Sequence, residues 1–438
     1  MVGAGYVGLV SAACYAHRGN HVTVYDSDQR RLAAIESGKA PFYEPELETI
    51  LSQTVRSGRL KIARDMKAEL RDLDFLFMAV GTPSRRNGSI DLADVVSACK
   101  TIGSVLRDQS GHPVVCIRST VVPGTTAGVI KPLLERQSGR LVGEGFGLLV
   151  YPEFLREGSA INDMLSPKRV VLGSVDEGSC RRLEAFLEDF FGDHMPPVVR
   201  LRPTTAEVVK YASNAFLAMK ISFVNEIANL CEQYPGVDVM DVAHAIGLDP
   251  RIGRSFLNAG VGFGGSCLPK DLRALAFEAR RRKMPLSLVE AALSVNEKQP
   301  ERMLELAASE LGRLKGKRAA VLGLSFKPNT DDVREAPSRR IIKALLRAKL
   351  KVSAYDPKAT ENIKRIFGSR TLLPKDPRDC LRDADCCLIV TEWDDFKSLK
   401  PEEFVELMAS PVIIDGRRIF DPRIFDEEVR YRGIGLGS

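Results

Sequence analysis

Residues 1–28, MVGAGYVGLVSAACYAHRGNHVTVYDSD, decide the fold. Gly3, Gly5 and Gly8 form a GxGxxG that opens an apolar helical stretch, LVSAACYAHRG, and the β-branched run HVTVYDSD follows. Asp26 stands 18 residues beyond Gly8, close to the spacing of an acid that takes a ribose 2′-hydroxyl. The glycines allow a tight turn and close approach of a pyrophosphate, whose charge the helix N-terminus attracts. Alone, a GxGxxG is equally a plain glycine turn; the helix, strand and acid beyond it select dinucleotide binding. A carboxylate at Asp26 repels a 2′-phosphate and favours NAD over NADP, while Arg30 and Arg31 pull the other way. The motif normally follows a strand, yet only Met1 and Val2 precede Gly3. A first strand of about five residues is therefore expected to be truncated or reduced to a stub, at the expense of stability and NAD affinity.

Outward from this stretch the α/β pattern continues. DFLFMAVGTPS (74–84), PVVCIRSTVVPGT (113–125) and GLLVYPEFLREG (147–158) are predicted as buried strands. Thr82, Thr120, Glu153 and Glu157 lie in the loops at their carboxyl ends, where such sheets bind ligands. Residues 204–232 contain neither Gly nor Pro, and their apolar spacing predicts one helix of about 29 residues, roughly 43 Å long. Lys210 and Asn214 share a face of it, at i and i+4. The apolar neighbours Val208, Val209, Tyr211 and Ala212 predict a partly buried lysine with a polar partner. From about residue 316 the α/β plan repeats without the GxGxxG, through KGKRAAVLGLSFKPNTDDVRE, a helix and strand ending in Asp356, DADCCLIVTEW and SPVIIDGRR. The fold class expected is α/β, with two Rossmann-like doubly wound domains joined by a long central helix. The boundaries expected are residues 1–198 for an NAD-binding domain, 199–300 for a helical middle and 301–438 for a second nucleotide-binding domain.

GVGFGGSCLPKD (260–271) places four glycines ahead of Cys267. Apolar spacing at Leu272, Leu275, Ala276 and Ala279 predicts a helix, with Pro269 in its first turn. Cys267 then stands at a helix N-terminus, where the dipole and free N–H groups favour a thiolate. An inert cysteine on a glycine turn is the plainer alternative; the glycine-lined approach and Asp271 one turn on argue for a loop shaped around a ligand.

Composition narrows the function classes. Of 438 residues, 27% are charged and the net charge is +6, which suits anionic small ligands and does not single out nucleic acid. The Arg280–Lys283 run ends a predicted helix and is expected to be a solvated cap. Nine scattered cysteines show no metal-ligand spacing and no disulfide framework, which fits a reducing cytoplasm. No segment has the length needed to cross a membrane. The five histidines have neither metal nor triad spacing, so no metal is expected. Tyr6 is expected to pack.

Taken in order, GAGYVGLV, VGTPS, RSTVVPGT, YPEFLREG, VKYASNAFLAMKISFVNEIANLCE, GVGFGGSCLPKD, GLSFKPNTDDVREAPS, VTEWDDF and IIDGRR resemble the UDP-glucose/GDP-mannose dehydrogenases over nearly the whole chain. KPNTDDVREAPS, NAFLAMKISFVNEIANLCE and FLNAG lean toward the UDP-glucose branch, whereas the Leu of SCLPKD is shared with the GDP-mannose branch. The resemblance implies a four-electron oxidation of the sugar C6 alcohol to a carboxylate with two NAD reduced, through a thiohemiacetal and thioester on Cys267. It implies catalytic roles for Lys210, Asn214, Asp271, Glu157 and Thr120. It implies cofactor contacts from Gly3, Gly5, Gly8, Asp26, Arg31, Thr82, Thr120, Glu157, Lys270 and Arg334. The nucleotide sugar, UDP-glucose foremost, is implied to touch Glu153, Phe154, Leu155, Arg156, Glu157, Lys210, Asn214, Phe256, Leu257, Asn258, Ala259, Gly260, Gly264, Lys327 and Arg417, with Arg251 reaching a neighbouring subunit's site. A homodimer or higher homo-oligomer is expected from the apolar central helix. Three alternatives stay open: GDP-mannose as the sugar nucleotide, a UDP-N-acetylhexosamine, or a catalytically impaired nucleotide-sugar-binding protein lacking its first strand.

Overall fold

The computed structural model describes residues 1–70, 72–425 and 429–437, and the chain divides into two compact units, Met1–Ser213 and Asn214–Ser438. In the first unit, β1 (Val22–Val24) pairs in parallel with β2 (Leu60–Ile62). A second ladder runs through β3 (Phe75–Met78), β4 (Val114–Ile117), β5 (Gly147–Val150), β6 (Val170–Ser174) and β7 (Val198–Leu201), parallel except where β5 meets β6.

The N-terminal residues join these two ladders. Val2 bridges in parallel to Tyr25 on one side and Met78 on the other. Val2 N–H donates to Phe77 O (2.7 Å) and Ala79 N–H to Val2 O (2.8 Å); across the other edge, Tyr25 N–H donates to Met1 O (2.9 Å) and Gly3 N–H to Tyr25 O (2.8 Å). Of the two expectations, a truncated strand or a stub, the structure shows a stub. Each flanking strand already presents an edge, so one central residue can pair both ways, and the doubly wound order is kept.

The first helix, Tyr6–His17, begins at the glycine loop and is buried from Gly8 to Ala16, because its alanines and Gly8 let it lie close on the sheet. A Cβ on Gly8 would strike the Gly3 carbonyl. The long helix spans Pro203–Cys231, one residue earlier than its sequence suggests. Pro203 takes the first helical position, where no N–H is needed.

The second unit holds a parallel sheet in the order β10-β9-β8-β11-β12-β13. Its strands are β8 (Arg318–Leu322), β9 (Lys351–Tyr355), β10 (Thr371–Leu372), β11 (Cys386–Ile389), β12 (Val412–Asp415) and β13 (Arg430–Gly433). The boundaries expected at 198 and 300 fall at the first residue of β7 and inside the helix Ser287–Leu311, which runs on through Pro300. Among the described residues no helix is long and apolar enough to cross a membrane.

Candidate active site

The dinucleotide loop of the first unit fits its expected ligand. Gly3 has φ +96°, and a Cβ there would meet the Ala79 carbonyl at 2.6 Å, so only glycine makes this turn. At Gly5 nothing lies within 4 Å of where a Cβ would stand. Gly5 also caps the first helix with no side chain bonded to the cap, which leaves a phosphate room to approach the helix start. Asp26, 8% exposed, accepts Ala4 N–H (2.7 Å), Asp28 N–H (2.8 Å) and Arg31 Nη1 (2.9 Å). The acid therefore ties the glycine loop to the end of β1, and Arg31 balances its charge.

Other loops of this unit converge in pairs. Thr82 Oγ1 donates to Thr120 O (2.9 Å), joining the loops after β3 and β4. Lys210, 4% exposed, donates from Nζ to both Glu153 O (2.8 Å) and Glu153 Oε1 (2.9 Å), with Phe154's ring 5.3 Å away. The expected buried lysine and polar partner are present. Glu153, Phe154, Leu155 and Arg156 line a cavity of about 450 Å³, while Glu157 is buried.

The second unit gathers the cysteine cluster. Cys267 is the N-cap of the helix Leu268–Arg281, and Asp271 N–H donates to its carbonyl (2.9 Å). Asp271, 1% exposed, accepts Asn214 Nδ2 (2.6 Å) on one oxygen and Lys270 Nζ (2.6 Å) on the other. Of nine cysteines, Cys267 alone is only partly buried. Burial pushes the thiols of Cys14, Cys99, Cys380 and Cys386 up to about 12 and so keeps them inert.

The glycines before Cys267 answer to the chain itself. A Cβ on Gly264 would meet Glu335 O at 2.5 Å, on Gly265 the Phe326 ring at 2.8 Å, on Gly262 Asn296 Oδ1 at 2.6 Å and on Gly260 Gly416 O at 2.8 Å. Tight internal packing requires glycine at these four positions. The loop is pinned by Asn225 (to Gly260 N–H, 2.8 Å), by Asn296 (to Phe263 N–H, 2.6 Å) and by Arg334 O (to Gly265 N–H, 2.9 Å).

This packing brings together the segments carrying Gly260, Gly264, Cys267, Arg334 and Arg417. Arg417 Nε donates to Val390 O (2.8 Å) and pairs with Glu392 (3.2 Å), at the carboxyl ends of β11 and β12. Lys327 lies 5.8 Å from the Phe326 ring. Leu257 and Ala259 are buried, Asn258 is exposed, and Phe256 holds φ +66°. Arg334 is exposed and paired with Asp332, and Arg251 stands on an exposed turn paired with Asp249.

Four buried residues that position these loops escaped the sequence reading: Asn225, Asn296, Glu207 and Glu44. Glu207, on the long helix one turn before Lys210, accepts Gly124 N–H (2.6 Å) and Thr126 N–H (2.9 Å) in the loop beyond Thr120, and burial raises its pKa. Polar residues on otherwise apolar helix faces were the available signal for Asn225, Asn296 and Glu207.

A GxGxxG turn at the head of a doubly wound sheet, with an acid after its second strand, defines an oxidoreductase of the dinucleotide-binding class. The chain belongs to the UDP-glucose/GDP-mannose dehydrogenase family. Residues 1–191 match the family's NAD binding domain, 204–298 its central domain and 320–422 its UDP binding domain. The chain is 43% identical to the UDP-glucose 6-dehydrogenase AglM of Haloferax volcanii, over 97% of each chain. It is 41% identical to the UDP-glucose 6-dehydrogenase TuaD of Bacillus subtilis, over 96% of this chain and 89% of that one. Among solved structures it is similar to a UDP-glucose dehydrogenase from Pyrobaculum islandicum, with a TM-score of 0.91, 37% identity and coverage of 100% of this chain and 97% of that one.

Proposed function

We propose that the protein oxidises UDP-glucose to UDP-glucuronate with two NAD. Full-length identity of 41–43% to UDP-glucose 6-dehydrogenases carries this reading and favours it over GDP-mannose, a UDP-N-acetylhexosamine or an impaired binding protein. When bound, NAD accepts the hydride of each oxidation. Gly3, Gly5, Gly8 and Asp26 hold it, with Arg31, Thr82, Thr120, Glu157, Lys270 and Arg334 as further contacts. The Glu153–Glu157 and Phe256–Gly260 stretches, Gly264, Lys327 and Arg417 hold the nucleotide sugar, and Arg251 serves a neighbouring subunit's site in a homo-oligomer. Functionally the chain divides into an NAD domain, a helical middle that carries the cysteine, and a UDP domain.

The chemistry assigned to the residues follows from their types. An aldehyde gives up a second hydride only after a nucleophile has made its carbon tetrahedral. The Cys267 thiolate forms that thiohemiacetal, and its oxidation leaves a thioester. Water attacks the thioester with Glu157 as base, and the acid and the free thiolate depart. Lys210 and Asn214 donate to the oxyanion of each step, Thr120 is assigned to the same chemistry, and Asp271 orients Asn214. The bond from Asn214 to Asp271 and the helix-cap position of Cys267 support this assignment.

NADH released per UDP-glucose, measured by absorbance with limiting sugar, tests the reaction. Two per sugar is expected, and none refutes it. In Cys267→Ser, acid formation should fall by at least about 10³-fold. Retained turnover to the acid would remove the thioester route while leaving the overall reaction standing. Competition by free UDP but not GDP is expected at the sugar-nucleotide site.

A further inference from the structure

Two adjacent arginines leave the turn after β12, and only the first has a role in the reading above. Arg417 donates from Nε to Val390 O (2.8 Å), and a Cβ on Gly260 would meet its Nη1 at 3.2 Å. Arg418 runs elsewhere. Its side chain is 3% exposed and crosses β13 at Gly433, where a Cβ would meet its Cδ at 2.7 Å. It ends on Asp238, with Nη1 donating to Oδ1 (2.8 Å) and Nη2 to Oδ2 (2.6 Å), and Nη1 also reaches Ile434 O (3.2 Å). Asp238 is the N-cap of the helix Val239–Gly247 and accepts Met240 N–H (2.8 Å). Arg418 holds φ +53°, where glycine would be the unstrained residue. The base of the turn is fixed separately by the buried Asp415. It accepts the N–H groups of Arg417 (2.9 Å), Ile419 (2.8 Å) and Phe420 (3.1 Å) and the Tyr431 hydroxyl (2.9 Å).

We propose that Arg418 and Asp238 are a positioning pair: they clamp the turn Asp415–Arg418 to the helix Val239–Gly247 and so hold Arg417 ready for the diphosphate of the nucleotide sugar. This rests on the reading of Arg417 as a contact of that ligand. Backbone strain at a non-glycine residue persists only where the surroundings over-determine it. Here the side chain does so. Two parallel bonds between a buried guanidinium and a carboxylate fix direction as well as distance. The helix extends the clamp's reach. Beyond its end the chain returns to the same turn, and a Cβ on Gly260 would meet Gly416 O at 2.8 Å. One helix thus has the anchor at its start and, past its end, the Phe256–Gly260 stretch that abuts Arg417. A long cation left free must be ordered when its ligand binds, at about a tenfold loss of affinity. The clamp removes that loss in advance.

The test measures UDP and NAD affinity by calorimetry, and KM and kcat for UDP-glucose, in the full chain. The variants are Asp238→Asn, Arg418→Gly, Arg417→Ala, and each of the first two combined with the third. Asparagine caps a helix as well as aspartate does, so Asp238→Asn spares the cap and sets an amide NH₂ against the guanidinium. Arg418→Gly relieves the left-handed backbone while removing the anchor. Arg417→Ala should weaken UDP binding by about 100-fold. Asp238→Asn and Arg418→Gly should each weaken it by about tenfold, with the loss in KM rather than kcat and NAD affinity unchanged. Added to Arg417→Ala, either should cost less than about a further twofold, because nothing is left to position. Losses that multiply, an unchanged UDP affinity in either single variant, or NAD affinity falling in step with that for UDP overturn the inference. If Arg417→Ala binds UDP as the wild type does, the assignment of Arg417 falls and this inference with it, while two NADH per UDP-glucose would still uphold the reaction. Should Asp238→Asn not fold, Arg418→Gly decides alone and must show both the tenfold loss and the non-additivity.

Discussion

The two nucleotide sheets follow one plan with different emphasis. Gly3 and Gly323 both turn the chain out of the first strand at φ +96°, and both lie against the end of the neighbouring strand, at Ala79 and at Thr391. An acid follows the second strand in each, Asp26 and Asp356. Asp26 accepts three protein donors, one of them from the half-exposed Arg31. Asp356, 2% exposed, accepts six, from Leu324 N–H, Ser325 N–H and hydroxyl, Lys358 N–H, Ala359 N–H and Trp393 Nε1. The centre of the first sheet is a stub paired at Val2, whereas β8 pairs along its length with β9 and β11. The same topological position thus carries an acid with three protein donors in one sheet and a structural knot with six in the other.

The hardest break of this comparison comes at the shared glycines. Alanine at either position meets backbone atoms and must hold a positive φ, at a cost of at least about 3 kcal/mol. Gly323→Ala should abolish UDP binding, Gly3→Ala should abolish NAD binding, and both should lower the denaturation midpoint. If either alanine is tolerated, the two turns are not equivalent. The acids sharpen the contrast. Asp356→Ala strands six donors, five of them buried, and should cost roughly 3 kcal/mol or more. Asp26→Ala should cost less than half of that, while narrowing the preference for NAD over NADP by about tenfold through loss of like-charge repulsion. Equal stability losses would mean that Asp26 is as structural as Asp356.

What the sequence disclosed follows the range of the interactions involved. The long helix was legible to within one residue, and Cys267 as a helix start likewise, because apolar spacing and Pro269 act within a turn or two. Glu44 was illegible, since its partners lie 38 to 116 residues away and PFYEPELE looks like any polar loop. The cysteine-loop glycines were noticed, but their reason was not, because Glu335, Asn296, Phe326 and Gly416 arrive from other elements. The first strand was judged by length alone. Its pairing depends on edges supplied by β1 and β3, which no local pattern reveals.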